Sequence, residues 1–166
     1  MIVALIGFMA CGKSTFGRAA AERLGWRFED LDDLVMPGRS AGEALRILGS
    51  EAFRKRESEA LREILGADED VLLALGGGTP LREENRQLLK AQCRTIWLRT
   101  SMDIVWSEIG NSDRPLAEGL TYEELEMLFR ERMPAYEAAA DIIFPVEARD
   151  CAAVAAELAS CIKNIR

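Results

Sequence analysis

Histidine is absent from this 166-residue chain, so the side chain that most often serves as a general base near neutral pH is unavailable. Ser-His hydrolases are thereby excluded, and any catalytic base has to be a carboxylate, lysine, tyrosine, cysteine or water. The four cysteines, Cys11, Cys93, Cys151 and Cys161, are scattered and lack C-x-x-C spacing. That argues against a zinc site or a disulfide framework and for the reduced thiols of a cytoplasmic protein. No apolar stretch reaches the roughly 20 residues that a membrane span needs. The apolar run at the N-terminus has no basic residue before it and leads at once into a glycine-rich loop, which no signal peptide explains. Positive charge is also in deficit, with a formal net charge of −7. An acidic surface is ill-suited to nucleic acid, whose affinity comes largely from neutralised phosphates. A single nucleotide remains possible, because one phosphate chain needs only a local nest of N–H groups and a few cations.

What is present reads as one soluble domain over residues 1–166, with 49% hydrophobic and 30% charged residues. Ile2–Ile6 is a compact apolar run that predicts a strand buried on both faces. Lys13–Leu24 carries apolar residues at helical spacing and is closed by Gly25. Further strands are expected at Trp26–Asp30, Val71–Leu75, Thr95–Leu98 and Asp141–Phe144. Helices are expected at Ala41–Leu48, Glu51–Leu65, Glu83–Lys90, Met102–Ile109, Tyr122–Arg132 and Cys151–Ile162. Alternating strands and helices imply an α/β fold with a parallel sheet covered on both sides.

Between the first strand and first helix, Gly7-Phe8-Met9-Ala10-Cys11-Gly12-Lys13-Ser14 fits G-x-x-x-x-G-K-[ST] at every fixed position. The glycines permit backbone angles and close approaches that a Cβ forbids. The candidate phosphate contacts are Ala10, Cys11, Gly12, Lys13, Ser14 and Thr15, at the positive end of the helix. Lys13 can reach the β- and γ-phosphates, and the Ser14 hydroxyl is placed to ligate Mg²⁺. GTPase signatures are missing from suitable places. No acid ends the strand Val71–Leu75, where three glycines stand instead.

Beyond the loop, Asp30-Leu31-Asp32, Phe53-Arg54, Gly76–Gly78, Arg114-Pro115-Leu116 and Glu131–Tyr136 follow in an order and spacing that resembles the shikimate kinases. The resemblance runs from Ile2 to about Phe144. It implies a five-stranded parallel sheet of order 2-3-1-4-5, a substrate-binding helical region at about 33–60 and a mobile lid at about 110–120. It also implies transfer from ATP to the 3-hydroxyl of shikimate, giving shikimate 3-phosphate on the route to chorismate, by a cytoplasmic monomer. Carried over, Asp30 steadies Mg²⁺ through water beside Ser14, and Asp32 binds the acceptor hydroxyl. Arg54 and Arg132 grip the carboxylate, and Gly76, Gly77 and Gly78 pass the backbone close to the ring. Arg114 joins Lys13 and Asp32 as a catalytic residue by reaching the phosphates, and Arg149 touches the far end of the nucleotide.

Independently of any family, paired guanidinium forks match a carboxylate in a way lysine cannot. A glycine run at a strand's carboxyl end is where an open α/β sheet places its ligand. Glu57, three residues after Arg54, predicts an ion pair that holds the guanidinium. Asp32 is expected to titrate as a free aspartate near 3.9, a weak base. Three departures stand out: the Asp32–Arg54 interval is about two residues short, Trp106-Ser107 occupies the place of an adenine-stacking arginine, and Ala74-Leu75 offers no hydroxyl near Mg²⁺. Two alternatives therefore stay open, a kinase for another hydroxy acid such as gluconate and an ATP-binding paralogue without turnover.

Overall fold

The computed structural model describes residues 1–110, 119–147 and 150–165. Its centre is β1 (Ile2–Ile6), whose five residues are all buried. On one side β1 pairs in parallel with β3 (Val71–Ala74), and β3 with β2 (Arg27–Asp30). On the other it pairs with β4 (Arg94–Arg99), and β4 with β5 (Ile142–Pro145). The sheet is entirely parallel in the order β2-β3-β1-β4-β5, as expected.

Alternate residues of each central strand point to opposite layers. Val3 and Leu5 face α1 (Lys13–Leu24) and α8 (Cys151–Lys163), where Phe16, Ala20, Ala155 and Leu158 close one core. Ala4 and Ile6 face the other layer, formed by α4 (Ser50–Leu65), α5 (Glu83–Gln92), α6 (Met102–Gly110) and α7 (Tyr122–Ala139). A smaller cluster of Val35, Ala44 and Phe53 ties α2 (Leu31–Val35) and α3 (Ala41–Leu48) to α4.

Element ends mostly shift by one or two residues from expectation, but three differences affect the site. The chain enters α2 straight from β2, because Asp30 accepts a hydrogen bond from the Asp32 amide and caps the helix. A short 3-10 turn, Thr79–Leu81, follows the glycines, with Pro80 pre-set for it. Helix α7 does not stop at Arg132 but runs through Pro134 to Ala139. Its capping box at Thr121 and Glu124, together with burial of Leu125, Tyr136 and Ala139, outweighs the one backbone bond that proline removes. Among the described residues, no helix is long and apolar enough to cross a membrane.

Helix α8 is scaffold, far in the sheet layering from the face that α4 and α7 cover. Leu158→Ala, at a fully buried position, is expected to cost about 2–5 kcal/mol of stability. Urea denaturation should show that loss while the Michaelis constants of the native fraction stay within twofold.

Candidate active site

The loop after β1 takes its shape from backbone angles few residues tolerate. Gly7 has φ 148°, Gly12 has φ 96°, and between them Ala10 sits at φ 60°. A Cβ on Gly7 would lie 2.7 Å from the Leu98 carbonyl oxygen, and one on Gly12 would overlap the Phe16 ring. No side chain caps α1 at Gly12, so the positive end of the helix opens on the cavity that Gly12, Lys13, Ser14 and Thr15 border. Lys13 Nζ donates to the Gly7 and Phe8 carbonyls, each at 2.9 Å, which folds the ammonium over the loop. Ser14 Oγ donates to Asp30 Oδ2 at 2.5 Å. The same carboxylate's Oδ1 caps α2 at 3.1 Å, so Asp30 is at once a helix cap and the partner of Ser14.

The cavity has a volume of about 370 Å³ and runs from this loop to α3, α4 and α7. It contains Lys13, Asp30, Asp32, Arg54 and Arg132 in its wall, so five chemistry-bearing residues from distant segments meet there. The three glycines explain how they fit. A Cβ on Gly76 would sit 2.9 Å from Asp32 Oδ1 and 2.9 Å from Glu57 Oε1. One on Gly77 would sit 3.2 Å from Arg132 Nη1, and one on Gly78 would overlap the Arg54 guanidinium. Each glycine thus gives its space to a different charged side chain.

Arg54 is held as expected. Its Nη1 donates to both oxygens of Glu57, at 3.0 and 2.9 Å, and Glu57 is 0% exposed. Arg132 turns inward, with its guanidinium 5.5 Å from the Phe8 ring centre. Its Nε is buried without a hydrogen-bond partner among the described residues, as is Asp32 Oδ1. Orphaned buried polar atoms are costly; Asn85 Oδ1 and Trp97 Nε1 are two more, but only Asp32 and Arg132 line the cavity, where a ligand can complete their bonding. One turn beyond Arg132, Tyr136 is fully buried and donates its hydroxyl to the Gly77 carbonyl at 2.7 Å. Burial holds that phenol above its usual range, so it stays a donor.

Asp32 departs from the expectation of a free aspartate. Burial pushes its carboxyl up to about 6, with Asp30 and Glu57 adding to the rise and Lys13 and Arg54 opposing it. It is still mostly ionised at pH 7 but accepts a proton far more readily.

Arg114, most of the expected lid at 110–120, and Arg149 lie outside the described residues. Met102 packs in the core, and Trp106 meets Tyr122 edge to face at 5.5 Å while remaining 40% exposed. Sequence reasoning assigned no role to Thr79, Asn85 or Tyr136. The signal for Thr79 was its place directly after the glycines; nothing in the sequence marked Asn85 as buried.

A parallel sheet of this order, with an anion cradle at the head of α1 and a charged cleft facing it, defines a P-loop phosphotransferase. The family model for shikimate kinase matches residues 9–163. Shikimate kinase of Moorella thermoacetica is 37% identical over 97% of this chain and 94% of its own length. That of Nitratidesulfovibrio vulgaris is 42% identical over 83% and 82%. Among solved structures, shikimate kinase from Acinetobacter baumannii in complex with shikimate superposes with a TM-score of 0.87 at 26% identity, covering 99% of this chain and 94% of that one. A deoxyadenosine kinase from M. mycoides, at 17% identity and TM-score 0.67, shares the fold. This chain belongs to the shikimate kinase family.

The raised Asp32 carboxyl has a stability consequence of definite sign. A carboxyl whose pKa rises on folding costs stability above its folded value and nothing below its unfolded value, near 3.8. Asp32→Asn removes the charge, so the variant should be more stable than wild type at pH 8, by roughly 1–3 kcal/mol. The gain should fade as pH falls through 6 toward 4, read as converging thermal midpoints.

Proposed function

We propose that this protein transfers the γ-phosphate of ATP to the 3-hydroxyl of shikimate, giving shikimate 3-phosphate. The observation that carries this reading is the pair of guanidinium groups, Arg54 and Arg132, set against adjacent glycines in the same cavity as the phosphate cradle. Two forked cations opposite an anion nest suit an acceptor with one carboxylate and a hydroxyl turned toward the nucleotide.

In this reading the N–H groups of Ala10 to Thr15 hold the phosphate chain, and Lys13 leaves its loop carbonyls to neutralise the β- and γ-oxygens. The acceptor carboxylate lies between Arg54 and Arg132, with Gly76, Gly77 and Gly78 beneath its ring. Asp32 Oδ1, buried and without a partner, receives the acceptor hydroxyl and fixes its aim. Phosphoryl transfer has a loose transition state, so Asp32 positions first and takes the proton late. Its pKa near 6 makes that last step easier than a free aspartate would.

Ser14 and Asp30 supply hard oxygen donors side by side, which fits Mg²⁺, an ion that takes few protein ligands and keeps several waters. That ion, when bound, would neutralise charge on the phosphate oxygens. The segment around 33–60 forms the acceptor-binding region, and Arg114 in a lid at about 110–120 closes on the phosphates and excludes water. Arg149 meets the far end of the nucleotide. The protein works as a single-domain monomer in the cytoplasm.

An ADP-release assay with shikimate and gluconate tests the acceptor, the latter included because the Asp32–Arg54 segment is short. Release with gluconate but not shikimate rejects the assignment, and ATP binding without product from either supports a paralogue lacking turnover. Arg54→Ala should cost roughly 2–5 kcal/mol at the acceptor, seen in its KM, while the KM for ATP holds. Lys13→Met should lower kcat at least 100-fold with the thermal midpoint little changed.

A further inference from the structure

We infer that Thr79, held in place by Asn85, is a positioning residue that sets the grip of Arg54 on the acceptor carboxylate by fixing Glu57. This rests on the reading of Arg54 given above. Thr79 is fully buried and uses all three of its polar groups on the site's framework. Its N–H donates to the Gly76 carbonyl at 3.0 Å, closing the turn that carries the glycines. Its carbonyl accepts from Asn85 Nδ2 at 3.0 Å. Its hydroxyl donates to Glu57 Oε1 at 2.8 Å.

That last bond is the one with a functional reach. Glu57 is a carboxylate with no exposure, and among the described residues Arg54 and Thr79 are its two side-chain donors. Oε1 receives both of them, so the hydroxyl fixes the plane in which the carboxylate faces Arg54. Arg54 keeps a side-chain exposure of 25%; among the described residues its hydrogen bonds to side chains run through a single nitrogen to Glu57, with the Phe53 ring 5.2 Å from the guanidinium carbon. Without a second donor, Glu57 can turn about its own side chain, and the guanidinium turns with it. A fork rotated by a few tens of degrees loses paired contact with a planar carboxylate.

Asn85 makes the arrangement stiff. It is 0% exposed on the first turn of α5, and Arg86 beside it donates to the Pro80 and Leu81 carbonyls at 2.7 and 3.0 Å. Helix α5 therefore pins the 3-10 turn from behind, and the turn holds Glu57 from the side. Helix α5 and the 3-10 turn thus act on the guanidinium through Glu57.

The test is a double-mutant cycle on steady-state kinetics with ATP and shikimate. T79V keeps shape but loses the hydroxyl. It should raise the KM for shikimate about tenfold while kcat and the KM for ATP stay within about threefold. T79S, which keeps a donor, should return the acceptor KM to within about threefold of wild type. In an R54A background T79V should have no further effect on the acceptor KM, because the group it positions is gone. Turnover of a shikimate analogue with a carboxamide in place of the carboxylate should be equally slow in wild type and T79V. If T79V gives no folded protein, T79A in both backgrounds reads the same coupling. A tenfold T79V effect that persists in the R54A background, or that falls equally on ATP, overturns the inference and leaves Thr79 a fold residue. An R54A variant with wild-type shikimate KM instead overturns the underlying reading of Arg54, so the two failures are distinguishable.

Discussion

The absence of side chains at Gly76, Gly77 and Gly78 is the constraint on which the site depends. Asp32, Glu57, Arg132 and Arg54 all converge on this one stretch of backbone, each within contact of where a Cβ would stand. A single methyl group there would push apart two carboxylates or displace a guanidinium. The sheet supplies the placement, since the turn leaves the carboxyl end of β3 beside β1 and its phosphate loop. Helix α2 then brings Asp32, α4 brings Arg54 and Glu57, and α7 brings Arg132 to the same spot.

Electrostatic balance follows from that convergence. Lys13, Arg54 and Arg132 face Asp30, Asp32 and Glu57 around the cavity, so their formal charges balance despite the density of ions. Burial first, and the nearby carboxylates of Asp30 and Glu57 after it, raise the cost of ionising Asp32 and bring it to about 6. Two of the cations are meanwhile parked on internal acceptors, Lys13 on loop carbonyls and Arg54 on Glu57, while Arg132 lies against the Phe8 ring. The acceptor therefore meets an Arg54 guanidinium already oriented by Glu57, which limits the reorganisation that binding requires at that end of the cavity.

Much of this was legible in the sequence. The phosphate loop declares itself because its glycines and lysine serve backbone geometry and charge at fixed spacing. The parallel sheet and the pairing of Arg54 with Glu57 were likewise readable, while the strand order came from the resemblance to shikimate kinases. Burial was not. Nothing in a one-dimensional pattern says that Asp32 loses enough water to shift its titration, or that Asn85 on a polar helix turns inward. Helix α7 misled because Pro134 is a local stop signal, whereas Tyr136 and Ala139 earn their helical place from distant packing. Asp30, expected beside Mg²⁺, is both the cap of α2 and the partner of Ser14.

That double use of Asp30 has a thermodynamic corollary. One of its oxygens faces the Ser14 hydroxyl at the head of α1, and the other secures the helix that carries Asp32. A ligand that competes for the first oxygen alters the electron density and orientation available to the second. The two halves of the cleft therefore share a common strut, and by reciprocity any change in affinity transmitted from the nucleotide half to the acceptor half returns with the same factor in the opposite direction.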